Sequence, residues 1–386
     1  MKKGLALILA LCMVLSIFAL AGCQGNQQES PSVKPSEAVS PSAEATPEPS
    51  EAATGYEIAM ITDKGTINDK SFNQGTWEGV QAYAEANGKT FQYYKPTEVS
   101  DAAYLESIGL AIQGGAKVVV TPGFLFEPAI YEAQTTYPDV TFILIDGEPH
   151  TPDYATFKTE KNTLCIKFAE EQVGFYAGYA AVKDGFTKLG FQGGQAVPAV
   201  VKYGYGFLQG AEAAATEMGL ADGAISMMYN YSGDFAATPE NQARAAGWYQ
   251  GGTEIIFGCG GSVGNSVMAA AEASTDKWAI GVDVDQSGES ATVIASAMKM
   301  LGNAVQQALA TYYDGTFEGG RTWMMDSTNN GVGMTTDTSK WRTFTVDDYN
   351  TLFEAVKAGT YTINNKTDIA IADLGLKKVK VTEITD

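Results

Sequence analysis

The side chains best suited to chemistry are carboxylates, amides and aromatics that follow short apolar runs. Residues 61–79, ITDKGTINDKSFNQGTWEG, set Asp63, Asp69, Phe72 and Asn73 directly after the run YEIAM. A strand, a Gly-containing loop and a helix start is the usual build of an anion cradle. This stretch lacks both the GxGxxG and the GxxxxGK[ST] pattern, and its two carboxylates would repel a bound phosphate. Asn68 or Asp69 suits the cap of a helix beginning there. Phe72 lies off the apolar face formed by Trp77, Val80 and Ala84. It is either a core aromatic or a ring aimed at a ligand.

Later loops add similar groups. FILIDG carries Asp146 at a strand end, either an acceptor for ring N–H, amino or hydroxyl groups or a turn-forming residue before Gly147. YSGDF (231–235) supplies Phe235 beside Asp234, and GCGGSVGN (258–265) supplies Gly260 and Gly261, where backbone can approach a ligand closely. GVDVDQ (281–286) carries Asp283 and Asp285. ASAMKM (295–300) places Lys299 in what reads as a helix, with a solvated surface lysine as the plain alternative. Flat rings, carboxylates, amides and glycines with few cations suit a neutral guest with a planar face: a nucleobase or nucleoside, or less specifically a sugar. A single histidine, His150, argues against a His-based triad, and four cysteines without a CxxC pair argue against structural zinc. A nucleoside hydrolase would need a calcium-binding Asp cluster, and residues 63–69 offer only two aspartates. No catalytic residue, metal or cofactor is therefore expected. Cys165 and Cys259 are expected to be free, although an extracytoplasmic compartment would permit their pairing.

Such loops need a scaffold. From Tyr56, short β-branched or aromatic runs (56–61, 90–95, 117–121, 141–146, 188–193, 225–230, 254–258, 278–283) alternate with helical stretches, the last of them spanning 291–314. The alternation predicts an α/β fold of two doubly wound parallel-sheet lobes joined by a hinge, with strand-end loops lining a shared cleft. Lobe 1 is expected at about 56–160 plus part of 285–320, and lobe 2 at about 165–284 plus part of 321–386. A formal charge of −20, from 45 acidic and 25 basic residues, disfavours nucleic acid as a partner. Lys2 and Lys3, an apolar run from Leu5 to Leu20, and LAGC at 20–23 read as a bacterial lipoprotein signal over residues 1–22. Cys23 would then carry the lipid. Residues 23–55, rich in Ser, Pro and Glu, read as a disordered tether. The body, residues 56–386, would work on the outer, extracytoplasmic face of the cell membrane.

In their order, ITDKGTINDKSFNQGTWEG, FILIDG, AEEQVGFYAGYAA, LGFQGGQAVPAV, YSGDF, FGCGGSVGN, AIGVDVDQ and DGTFEGGRTWMMDSTNNGVGM resemble the basic membrane protein family. Its PnrA-like members are purine-nucleoside-binding lipoproteins of ABC transporters. The resemblance implies a type I periplasmic-binding-protein fold, no enzymatic activity, permease and ATPase partners, and a monomeric receptor for adenosine, guanosine or inosine. A ligand-sensing receptor is the alternative with the same cleft. By resemblance, Asp63 and Asn73 hold the ligand, and Phe72 and Phe235 stack on the purine. Asp146 meets the base edge, and Asp283 with Lys299 binds the ribose beside the Gly260–Gly261 turn.

Overall fold

The computed structural model describes residues 55–385. The signal segment, Cys23 and all of the expected tether except Gly55 lie outside the described residues. The runs read as core strands form them. β1 (Ile58–Ile61), β3 (Val118–Pro122) and β4 (Thr141–Ile145) are buried at every position. Parallel strands covered on both faces require such unbroken apolar sequence. With β2 (Phe91–Tyr94), β5 (Thr163–Phe168) and β11 (Arg321–Met325) they build a six-stranded parallel sheet, ordered β11-β5-β4-β3-β1-β2. The second sheet has seven strands among the described residues. Its strands are β6 (Lys188–Gly193), β7 (Ile225–Tyr231), β8 (Ile255–Cys259), β9 (Trp278–Asp283), β10 (Val293–Lys299), β12 (Val332–Met334) and β13 (Val379–Glu383). Only β12 is antiparallel, against β10.

Each sheet contains the same doubly wound core. In β2-β1-β3-β4-β5 and in β7-β6-β8-β9-β10 the winding reverses beside the first strand, and ligands of such sheets bind outside the strand ends at that reversal. The loops after β1 and β3 therefore face those after β6 and β8. The chain crosses between sheets three times, at β5 into α4 (Glu170–Lys183), at β10 into α8 (Leu301–Tyr313), and between β11 and β12. The crossings are tied together. Ala169 N–H donates to the Met325 carbonyl at 3.0 Å, Met300 N–H to Gly331 at 2.9 Å, and Ser327 N–H to Gln172 Oε1 at 2.9 Å.

Helix α8 packs on α1 (Phe72–Ala86), in the first lobe, whereas α4 packs on α5 (Pro198–Glu217) and β10, in the second. The α4–α5 contact is backbone against backbone. A Cβ at Gly174 would lie 2.1 Å from the Tyr203 carbonyl oxygen, and one at Gly178 would lie 2.0 Å from that of Phe207. Only glycine permits this approach.

The structure departs from the sequence reading in three places. Residues 293–299 are a strand, not the start of a helix. The segment VIASAMK is buried nearly throughout between β9 and β12, so it shows no alternation, and its alanines mimic a helix. Lys299 consequently ends a central strand instead of facing solvent. Strand β5, which the sequence reading lacked, pairs in the first sheet together with β11, so the residues from 165 to 168, expected at the start of lobe 2, belong to the first sheet. The helix after the first loop starts at Phe72, later than the expected Asn68–Asp69. Cys165 and Cys259 are free and buried.

Candidate functional site

A cavity of about 580 Å³ opens where the strand-end loops of the two sheets meet, within the roughly 300–1,000 Å³ usual for small-molecule sites. All nine of the expected ligand-binding residues line it: Asp63, Phe72, Asn73, Asp146, Phe235, Gly260, Gly261, Asp283 and Lys299.

The first loop is organised by Asp69. Its carboxylate accepts from the backbone N–H groups of Ser71 (2.9 Å), Asn73 (3.0 Å) and Gln74 (3.1 Å), capping α1 from outside the helix. It also accepts from Asn73 Nδ2 at 2.9 Å. Asn73 is thereby aimed at Asp63, whose Oδ1 accepts from Asn73 Nδ2 (3.0 Å) and Gly65 N–H (2.7 Å). Burial pushes the Asp63 carboxyl up to about 6, against these hydrogen bonds. Phe72 is half-buried. It packs against the core and also lines the cavity.

Asp146 and Asp283 occupy matching places at the ends of β4 and β9, and both adopt left-handed backbone, at φ 58° and 64°. Non-glycine residues hold such a conformation at a cost, here with two carboxylates turned toward the cleft. Asp283 accepts from Ser71 Oγ and, at 3.5 Å, from the Tyr203 hydroxyl, and burial raises its pKa. Asp146 Oδ2 accepts from Lys299 Nζ, while its buried Oδ1 has no partner. Burial is the largest influence on Asp146 and pushes its carboxyl to about 6. Lys299 also pairs with Glu170 at 2.9 Å, and Glu170 pairs with Lys202 at 3.3 Å. Burial opposes the Lys299 charge, but Asp146, Glu170 and Asp283 together hold its pKa above the ordinary lysine value. Three rings enclose the ammonium: Phe72 and Phe168 at 5.2 Å and Tyr203 at 5.7 Å. Lys299 therefore sits in direct contact with Asp146, across the cleft, and is linked to Asp283 only through the field.

On the second lobe, Gly260 (φ 120°) and Gly261 (φ 53°) turn the chain under Phe235. Ser262 N–H donates to the Phe235 carbonyl at 2.9 Å, and a Cβ at Gly260 would lie 3.2 Å from the Phe235 ring. Glycine here lets the aromatic loop close onto the turn.

Sequence reasoning missed several lining or supporting residues. Tyr203, Glu170 and Ser71 sit in helices or beside a cap, where nothing in their spacing marks them. The β4–β5 connection, whose first residues (146–153) count among the expected strand-end loops of the cleft, carries rings that went unread. It folds as a small hairpin in which His150 bridges Phe157, and His150, Tyr154 and Phe157 line the outer part of the cavity. Glu127 roots this hairpin: its Oε1 accepts from Glu148 N–H at 2.8 Å, and its Oε2 lies 3.1 Å from His150 Nε2. His150 Nδ1 donates to the Thr151 carbonyl at 2.7 Å, so the Glu127 contact needs a further proton on one partner or the other. No group of His, Cys, Asp or Glu suited to a metal ion occurs among the described residues.

Two wound lobes, three tied crossings and a cleft at the switch points define a type I periplasmic-binding-protein fold. Solved structures share it: a solute-binding protein of an ABC transporter system from Aeropyrum pernix K1 aligns with a TM-score of 0.64 at 21% identity, covering 83% of this chain and 90% of its own. A sugar-binding protein of a sugar ABC transporter from Bacillus halodurans aligns with a TM-score of 0.52 at 15% identity, covering 72% and 97%. The family of PnrA-like ABC transporter substrate-binding proteins (Bmp) matches residues 56–364, and the chain belongs to it. It is 28% identical over 359 residues to the ABC transporter nucleoside-binding protein BmpA of Lactococcus lactis subsp. cremoris (strain MG1363), across 87% of this chain and 92% of that protein. It is 29% identical over 282 residues to basic membrane protein D of Borreliella burgdorferi (strain JD1), across 72% and 78%. The family is one of transporter binding proteins, not enzymes. Among the described residues no helix is long and apolar enough to cross a membrane.

Proposed function

We propose that this protein captures a purine nucleoside between its lobes and delivers it to the permease and ATPase of an ABC transporter. The observation that carries the reading is the grouping of Phe72 and Phe235 with the part-buried carboxylates Asp63 and Asp146 and the buried Asp283 on one cavity. Asp146 Oδ1 in particular is a buried acceptor without a donor, and a buried polar group gains most from a partner. In this reading Phe72 and Phe235 stack on the base, and Asp63 with Asn73 holds the ligand from the first loop. Asp146 meets the base edge, and Asp283, Lys299 and the Gly260–Gly261 turn meet the ribose. Six carboxylates (Asp63, Asp69, Glu127, Asp146, Glu148 and Asp283) against three lysines (Lys64, Lys167 and Lys299) in the lining favour the nucleoside over its charged nucleotide. The name of the lactococcal relative points the same way.

Lipidation at Cys23 would hold the monomeric receptor on the outer face of the membrane. Calorimetry of the full chain in detergent against adenosine, guanosine and inosine tests the ligand, and failure of all three to bind below about 100 μM refutes it. Loss of fatty-acid labelling in Cys23→Ala tests the anchor.

A further inference from the structure

The hairpin between β4 and β5 is built with more care than a connection requires. Thr151 N–H donates to the Thr156 carbonyl at 2.9 Å and Lys158 N–H to Pro149 at 3.0 Å, so its two arms are paired. Its root is fastened through Glu127, and through Glu148, which accepts from Lys167 at 2.8 Å and from the Thr322 hydroxyl at 3.0 Å. His150 is 1% exposed and serves as a platform. Tyr154 stacks on it at 4.0 Å and 25°, and Phe157 leans on it at 5.0 Å.

Tyr154 holds φ 57°, a conformation that favours glycine or asparagine and strains a bulky residue. The Asp153 carboxylate fixes the turn by accepting from Thr151 Oγ1 (2.6 Å) and Ala155 N–H (3.1 Å). The result is two rings on a rigid base, 64% and 57% exposed, both bordering the same cavity as Phe72 and Phe235. Asp146, at the start of this connection, joins the inner cavity to the hairpin. The charges on and against the hairpin are Glu127, Glu148, Asp153, Lys158 and Lys167, with Lys167 paired to Glu148 and Lys158 to Glu160. An anion is unsuited to that setting, whereas a neutral ring or alkyl group is suited.

We propose that Tyr154 and Phe157 form an outer stacking subsite for a second planar or apolar group carried by the nucleoside. The protein would then accept purine nucleosides with an aryl or alkyl substituent, which would lie against the hairpin while the parent nucleoside occupies the inner cavity. The inference rests on the nucleoside reading above.

Two attachment points can present such a group, and the test separates them. Calorimetry of the full chain in detergent would compare adenosine with adenosine benzylated on its exocyclic amine, and with adenosine bearing a phenylthio group at C5′. Stacking on an aromatic should make one of the two bind at least about fivefold tighter than adenosine. In Tyr154→Asn/Phe157→Ser that ratio should fall to about one, because Asn keeps the left-handed backbone and removes the ring. The subsite is overturned if neither aryl nucleoside gains over adenosine, or if the double variant leaves the ratio unchanged. It is likewise overturned if the variant leaves all affinities unchanged yet slows uptake in proteoliposomes, which would assign the rings to a protein partner. If neither adenosine, guanosine nor inosine binds the wild type, the nucleoside reading itself falls, and the subsite with it.

Discussion

Replacing Lys299 by methionine removes a charge while keeping an unbranched side chain among the rings of Phe72, Phe168 and Tyr203. The lysine side chain is 2% exposed, and its partners Asp146 and Glu170 are 11% and 3% exposed. Breaking a buried pair in this way costs about 3–5 kcal/mol, because the remaining charge stays buried without compensation. Glu170 keeps Lys202, so the cost falls mainly on Asp146. That carboxyl already sits at about 6 in the folded protein, against 3.8 as the ordinary value, and losing Lys299 raises it further. A raised carboxyl binds more protons folded than unfolded, so stability declines as pH rises through the interval between the two values. In the variant this decline extends to higher pH. Urea denaturation should therefore show Lys299→Met destabilised by about 3–5 kcal/mol at about pH 8, with a clearly smaller deficit at about pH 5, where Asp146 is protonated. Adding Asp146→Asn, tolerated at φ 58°, should recover at least about 1.5 kcal/mol of the loss at the higher pH. A deficit below about 1 kcal/mol, or one equal at both pH values, would refute the reasoning.

Three further predictions concern the inner site and the frame. Phe72→Ala should lower nucleoside affinity by at least about 1 kcal/mol in calorimetry with a smaller change in urea stability; unchanged affinity with severe unfolding would return the ring to the core alone. Burial holds the Asp63 carboxyl at about 6, so its accepting, ionised form grows between about pH 5 and about pH 7, and nucleoside affinity should rise over that range. Asp63→Asn should reduce this rise and leave the share of Asp146, whose carboxyl sits at about 6 as well. Gly178→Ala drives a Cβ to 2.0 Å from the Phe207 carbonyl oxygen and should cost about 3 kcal/mol or more in urea denaturation by forcing α4 and α5 apart.

The wound α/β architecture was legible because strands buried on both faces must be written as unbroken apolar runs between helical stretches. The same rule hid β10: its Ala and Ser residues fit a strand packed between helices as well as they fit a helix, and only pairing decides between the two. Side chains on strand-end loops could be read as lining residues because doubly wound sheets always present those ends to a ligand. Tyr203, Glu170 and Ser71 could not, since each reaches the site through the angle of a helix or the shape of a cap. Loop motifs gave no sign of the His150 platform because stacking of His150, Tyr154 and Phe157 depends on a positive φ at Tyr154.

The glycine seam between α4 and α5 decides how the lysine in the cleft behaves when the lobes separate. Glu170 opens α4, which the seam binds to α5, so Glu170, Lys202 and Lys299 ride on one body while Asp146 rides on the other. Parting of the lobes takes Lys299 away from Asp146 but leaves it with Glu170. In such a parting the ammonium would keep Glu170 as a counterion, and Asp146 would be left without its lysine.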